Sequence, residues 1–247
     1  MRLPIRVATC AALIAAVCAP TPAWSSAPAK TVDCAKVKCI ALTFDDGPGQ
    51  KAGKLLDALK KYKVKATFFL EGQYVKARPE LAKRIAKEGH ELGNHSYTHP
   101  DFTKMDESAI ESEITRTQEL VHKLTGKYPT TLRPPYGLAN ERVQAVATEL
   151  GLPIVLWNTG SQDWATRDEK AIYKEVLKGA RRDSVVLMHD WVTQTVDVMP
   201  ALLKALKERG FHVVPVSALL RGKKLAPGEV WPKDATHAVE TSPLVDG

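Results

Sequence analysis

Cys39-Ile40-Ala41-Leu42-Thr43-Phe44 is apolar apart from Thr43, and Asp45-Asp46-Gly47-Pro48 follows it with no spacer. A short apolar run that stops at turn residues reads as a buried strand. Two adjacent carboxylates at the end of such a strand are costly unless paired, hydrogen-bonded or bound to a cation. Asp-Gly-Pro is also good turn chemistry, so a plain turn is the competing interpretation.

Outward from this strand the pattern repeats. Residues 54–62 place Leu55, Leu56, Leu59 and Tyr62 at helical spacing, and residues 66–70 form the next strand. A helix over 79–87 ends at Gly89, and a short strand around Glu91 and Leu92 leads into a histidine-bearing segment. Asp106 or Ser108 caps a long helix that runs to Leu124 and is closed by Gly126. Strands follow at 130–132, 153–157, 184–188 and 211–216, separated by helices at 141–150, 168–177 and 196–208. Seven or so strands alternating with helices, with no break in composition, predict a single α/β domain built on a mostly parallel sheet. A chain of 247 residues is long enough for one sizeable core.

Both ends of the chain read differently. Arg2 and Arg6, the apolar run from Ala8 to Ala19 and the small residues around Ala23 and Ala27 make residues 1–25 a secretory signal peptide. The organisation expected is therefore a signal over 1–25, an N-terminal segment over 26–38, the folded domain over 39–221 and an extended tail over 222–247. Pro227, Pro232 and Pro243 interrupt that tail, which is expected to pack partly through Trp231. Removing the signal leaves Cys34 and Cys39, which in an exported chain read as a disulfide closing a small loop. A redox or metal role for the pair is weaker, because no His or further Cys stands beside it. Of the formal charge of +7, two belong to Arg2 and Arg6 of the signal, and the rest is spread over mixed helical faces rather than gathered in a block. That distribution is a solvated basic surface, with weak attraction to an anionic wall polymer as a permitted extra. No nucleic-acid motif and no transmembrane anchor is present.

The polar residues that look out of place all follow strands: Asp45-Asp46, His95 and His99, Arg133-Pro134-Pro135-Tyr136-Gly137, Asp163-Trp164, and His189-Asp190. In a parallel barrel every strand's C-terminal end opens onto one face, so these five segments are expected to converge. His95 and His99 are four residues apart, and in a helical turn both would share one face and one metal. Two imidazoles and a carboxylate suit zinc or a similar divalent ion, with a coordination position left open. Singly, His189 reads as a core histidine, Asp163 as a cap, and Trp164 and Trp191 as core.

Together, Thr43 to Pro48, His95 to His99, Arg133 to Gly137, Asp163-Trp164 and Leu187-Met188-His189 resemble the five ordered motifs of the NodB-homology polysaccharide deacetylases, carbohydrate esterase family 4. The resemblance covers roughly residues 39–220 and implies a distorted (β/α) barrel of seven or eight strands. One position departs from it: the fourth motif of the family begins with Asp, and Gly160 stands there.

The resemblance also implies a division of labour. Asp46, His95 and His99 would hold zinc or cobalt, and Asp45 would be the general base toward the attacking water. Arg133 would keep Asp45 ionised and oriented. His189 would protonate the leaving amine, with Asp163 setting its tautomer and raising its pKa. The backbone N–H of Tyr136 would face the oxyanion. Pro135, Trp164, Leu187 and Trp191 would line the substrate cleft.

The function expected is that of a secreted, monomeric enzyme. It would remove acetyl groups from an acetylated polysaccharide, an N-acetylglucosamine polymer of the peptidoglycan or chitin type. An acetylxylan esterase using the same site is the nearest alternative. An inactive glycan-binding protein has no need of Asp45 and His189, and a structural zinc protein would not leave its metal unsaturated.

Overall fold

The computed structural model describes residues 32–236. The expected signal peptide and the last part of the tail lie outside the described residues. In chain order the elements are β1 (Lys38–Gly47), α1 (Ala52–Lys61), β2 (Thr67–Leu70), α2 (Gly72–Ala77), α3 (Pro79–Lys87), β3 (Glu91–Asn94), α4 (Glu107–Thr125) and α5 (Glu141–Glu149). They continue as β4 (Ile154–Val155), β5 (Thr159–Gly160), α6 (Asp163–Thr166), α7 (Glu169–Gly179), β6 (Ser184–His189), α8 (Thr193–Glu208), β7 (Phe211–Val214), α9 (Val216–Leu219) and β8 (Val230–Trp231). No helix among the described residues is long and apolar enough to cross a membrane.

All the strand pairings are parallel. β1 is the hub: β6 lies along one side of it, while β7 pairs with its first half and β2 with its second. From β2 the wall passes to β3, then through single bridges at Leu132 to β4. Residues 156–158 bend the chain from β4 into β5, which pairs with β6 and so returns to β1. The result is a distorted barrel.

Strand alternation divides the core in two. Ile40, Leu42, Phe44, Phe68, Leu70, Val186 and Met188 point outward into a cluster shared with α1, α3, α7 and α8. Ala41, Phe69, Leu132, Ile154, Val185 and Leu187 fill the barrel interior. Asp45 and His189 continue the inward-facing series of β1 and β6, and the register pairs them directly. Caps set the helix limits, as where Asp106 accepts the Ala109 N–H at 2.8 Å and Gly126 ends α4 in the left-handed region.

Several expectations change in detail. The strand expected at 130–132 is reduced to the bridging residue Leu132. The run at 153–157 is a two-residue strand followed by a bend. The last expected strand stops at Val214, because Pro215 supplies no N–H and α9 begins after it. The tail is not merely extended: β8 adds a strand beside β4, and Arg181 and Asn158 both bind Asp234. Cys34 and Cys39 are joined by a disulfide at the entry to β1.

Candidate active site

The five polar segments meet at the C-terminal ends of the strands. Asp46 Oδ1 lies 3.2 Å from His95 Nε2 and 3.4 Å from His99 Nε2. These donor atoms lie within 4.8 Å of one another. His95 Nδ1 is 2.6 Å from the Arg133 carbonyl oxygen, and because a carbonyl only accepts, Nδ1 carries the proton and Nε2 is free to act as a ligand.

The histidines do not share a helical turn. Residues 95–99 form a loop in which Ser96 and His99 take φ of 65° and 61°, and Ser96 Oγ accepts the His99 N–H at 2.9 Å. Glu113, from the buried face of α4, accepts the N–H groups of Tyr97 and Thr98 at 2.9 and 2.7 Å. A carboxylate and a hydroxyl thus do the work that helical hydrogen bonds would have done.

The donor set fits a divalent cation. Asp46 Oδ1 is buried and has no hydrogen-bond partner among the described residues. Burial alone would raise the Asp46 pKa, but the imidazoles of His95, His189 and His99 around it hold it well below the usual carboxylate range. Burial would lower His95, yet the Asp45 and Asp46 carboxylates raise it. A field that raises His95 in this way also attracts a cation. His99 behaves differently: burial, reinforced by His95, pushes it down to about 4, leaving a neutral imidazole suited to ligation.

Arg133 is fully buried beneath this cluster and reads four acceptors with one guanidinium. Nη1 donates to Asp45 Oδ1 at 2.7 Å and to Thr43 Oγ1 at 2.8 Å. Nε and Nη2 donate to the Val155 and Leu156 carbonyls, each at 2.9 Å. Its plane lies 3.9 Å over the Phe69 ring. Asp45 Oδ2 is left facing the histidines, 3.8 Å from His95 Nε2.

Across the cluster, His189 Nδ1 is 2.8 Å from Asp163 Oδ1, and its Nε2 lies 3.8 Å from Asp46 Oδ2. Asp163 Oδ2 also accepts the His189 N–H at 2.8 Å and the Thr195 hydroxyl at 2.6 Å. Burial would lower the His189 pKa, but Asp163, with help from Asp46 and Asp45, raises it to about 10.

At the rim, Tyr136 sits at φ 60° with its ring edge-on to His99, centroids 4.7 Å apart. Trp191 Nε1 donates to Asp46 Oδ2 at 3.1 Å. Pro135 and Leu187 are buried and Trp164 half-buried, placed by their neighbours in the chain rather than by a bond to the cluster. Gly160, on β5, needs no small residue: a Cβ there would meet only Gln162 Nε2 at 3.5 Å. The Cys34–Cys39 disulfide is at the opposite end of β1.

Residues 32–155 match the family model of polysaccharide deacetylases. The chain belongs to that family. It is 43% identical over 195 residues to the peptidoglycan-N-acetylglucosamine deacetylase PgdA of Listeria monocytogenes, a match covering 78% of this chain and 41% of that protein. It therefore spans about two fifths of the length of that relative. A peptidoglycan-N-acetylglucosamine deacetylase of Bacillus cereus is 37% identical over 190 residues, 75% of this chain and 69% of that one. Among solved structures, the T48 deacetylase with substrate superposes with a TM-score of 0.78 at 37% identity, covering 81% of this chain and 100% of that one.

Sequence reasoning missed several residues that shape the site of this polysaccharide deacetylase family member. Glu113 stands among Ile110, Ile114, Thr117 and Val121 on the buried stripe of α4, so a carboxylate at an apolar position was the available signal. Asp190, which the sequence placed beside His189 without giving it a role, is fully buried, accepts the Gly49 N–H at 2.8 Å and has its pKa pushed up to about 7, chiefly by burial. Thr195 gave no signal, since its role depends on how α8 docks.

Proposed function

We propose that this chain is an exported, zinc-dependent deacetylase that hydrolyses the acetamide of N-acetylglucosamine residues in peptidoglycan. The observation that carries the proposal is the pairing of Asp45 and His189. They are register partners on adjacent strands, each held by a buried group of opposite charge, on either side of the Asp46–His95–His99 triad. A binding site alone has no use for a matched base and acid. The names of the Listeria and Bacillus relatives support the choice of polymer, and the disulfide suits an oxidising, extracytoplasmic compartment.

Asp46, His95 and His99 would hold the ion, which supplies a Lewis acid to polarise the acetyl carbonyl and acidify water. Arg133 grips Asp45 through Oδ1, so Oδ2 is the oxygen that accepts the proton of the attacking water. Tyr136 offers its backbone N–H to the developing oxyanion. Asp163 holds His189 by Nδ1 and keeps it protonated, so Nε2 delivers a proton to the departing amine. Leu187, Trp164, Trp191 and Pro135 close around the methyl group and sugar.

Acetate release by the purified mature protein tests the proposal, with peptidoglycan fragments, N-acetylglucosamine oligomers and acetylxylan offered side by side in zinc. The expected result is release from peptidoglycan that disappears with chelator, with Asp45→Asn and with His95→Ala. Faster release from acetylxylan would replace the amide reading by an ester one. Glycan binding without release from any substrate would replace both by a binding role.

A further inference from the structure

Asp46 has two carboxylate oxygens in different surroundings. Oδ1 faces the histidines and lacks a hydrogen-bond partner, while Oδ2 accepts the Trp191 indole N–H. From this asymmetry we infer that Trp191 is a positioning residue for the metal-binding carboxylate, and that its N–H, rather than its ring surface, is what the metal site requires. The inference rests on the metal-site reading above and adds to it a residue outside the ligand set.

The physical reason lies in the freedom of a carboxylate. An aspartate can rotate about its last torsion and offer either oxygen, or both, to a cation. A donor fixed on Oδ2 stops that rotation, keeps Oδ1 aimed between the two imidazoles and offsets charge on the outer oxygen. Partners of this kind orient metal ligands, and removing one typically costs 10–100-fold in affinity.

Trp191 is well held for the task although 38% of it is exposed. Its backbone packs so closely on the loop after β1 that a Cβ on Gly49 would lie 2.6 Å from Trp191 N and Cα. The adjacent Asp190 carboxylate ties Gly49 N–H at 2.8 Å. The donor is thus fixed to the loop that directly follows its acceptor, which lies at the end of β1. On the ring itself, the Arg167 guanidinium stands 5.7 Å from the centroid and the His189 ring 5.8 Å away. The indole therefore has one polar handle turned into the site and a body turned to its rim, and the two parts can be tested separately.

Trp191→Phe keeps an aromatic body and removes the donor, whereas Trp191→Ala removes both. Zinc affinity is measured on each folded protein by competition with a chromophoric chelator, and KM for an N-acetylglucosamine oligomer is measured at saturating zinc. The expected result is a loss of zinc affinity of about tenfold or more in both variants, with KM raised further in the Ala variant than in the Phe variant. Trp191→Phe with zinc affinity within about twofold of the parent would overturn the inference and leave Trp191 as a wall. Failure of the parent protein itself to bind zinc would remove the metal site, a separate outcome that the same titration reports.

Discussion

Replacing Arg133 with methionine keeps an unbranched side chain over Phe69 but deletes the charge under Asp45. Breaking a buried ion pair from one side costs about 3–5 kcal/mol, because the remaining charge is left unpaired. The Val155 and Leu156 carbonyls lose their donors as well, about 1 kcal/mol each. The total, roughly 5–7 kcal/mol, rivals the entire stability of an ordinary domain, about 5–15 kcal/mol. Arg133→Lys keeps the charge but cannot span four acceptors with one ammonium, and should lose about 2–4 kcal/mol. Urea unfolding in the presence of chelator measures both without metal linkage. A double-mutant cycle with Asp45→Asn should return a coupling of about 2–3 kcal/mol, because the second change removes the carboxylate that the first leaves stranded. A loss below about 1 kcal/mol for Arg133→Met, or a coupling near zero, would refute the claim that this pair is a structural as well as a chemical unit.

Three further outcomes follow from other parts of the molecule. His90 is buried, accepts the Ala66 N–H and has its pKa pushed down to about 4, chiefly by burial, so the unfolded chain takes up its proton first on acidification. Its contribution is intact above about pH 6.5 and falls away toward pH 4 by roughly 3 kcal/mol. His90→Asn, which keeps an acceptor, should flatten that acid limb in urea titrations at pH 7 and 5, and equal acid sensitivity in the two proteins would contradict it. Removing the disulfide with Cys34→Ala and Cys39→Ala together should cost about 2 kcal/mol, the value for so short a loop, and an unchanged melting temperature would show that the loop is already ordered without it. Gly160→Asp should fold within about 0.5 kcal/mol of the parent, given the open space around it, and a large loss would mean that β5 is packed more tightly than its contacts indicate.

The strand ends were legible because a parallel barrel leaves little choice: an apolar run followed by Asp, His or Arg marks a wall strand running into the catalytic face. The long helices were legible through caps such as Asp106 and Gly126, which act locally. The bend between β4 and β5, the single-residue strand at Leu132 and the short helices α2, α6 and α9 were not, since each is decided by distant partners. The structure brings His95 and His99 together, as their spacing predicts, but in a loop rather than a helical turn. An interval of four residues suits both a helix and a tight loop, and the deciding groups, Glu113 and Ser96 Oγ, act on backbone that the spacing says nothing about. Trp191 illustrates the same boundary from the other side: the residue was visible in sequence as an aromatic near the site, but not the direction of its N–H.

Asp46, Ser96, His99, Tyr136 and Gln162 all take the left-handed backbone region that glycine adopts freely. Each carries a conformational cost of roughly 1 kcal/mol, a little less for the aspartate. Selection for thermal robustness alone would therefore drift toward glycine at His99 or Tyr136, and each such step would remove either the proposed His99 ligand or the Tyr136 ring packed against it. In this chain the route to a tougher scaffold and the route to a silent one begin with the same substitutions.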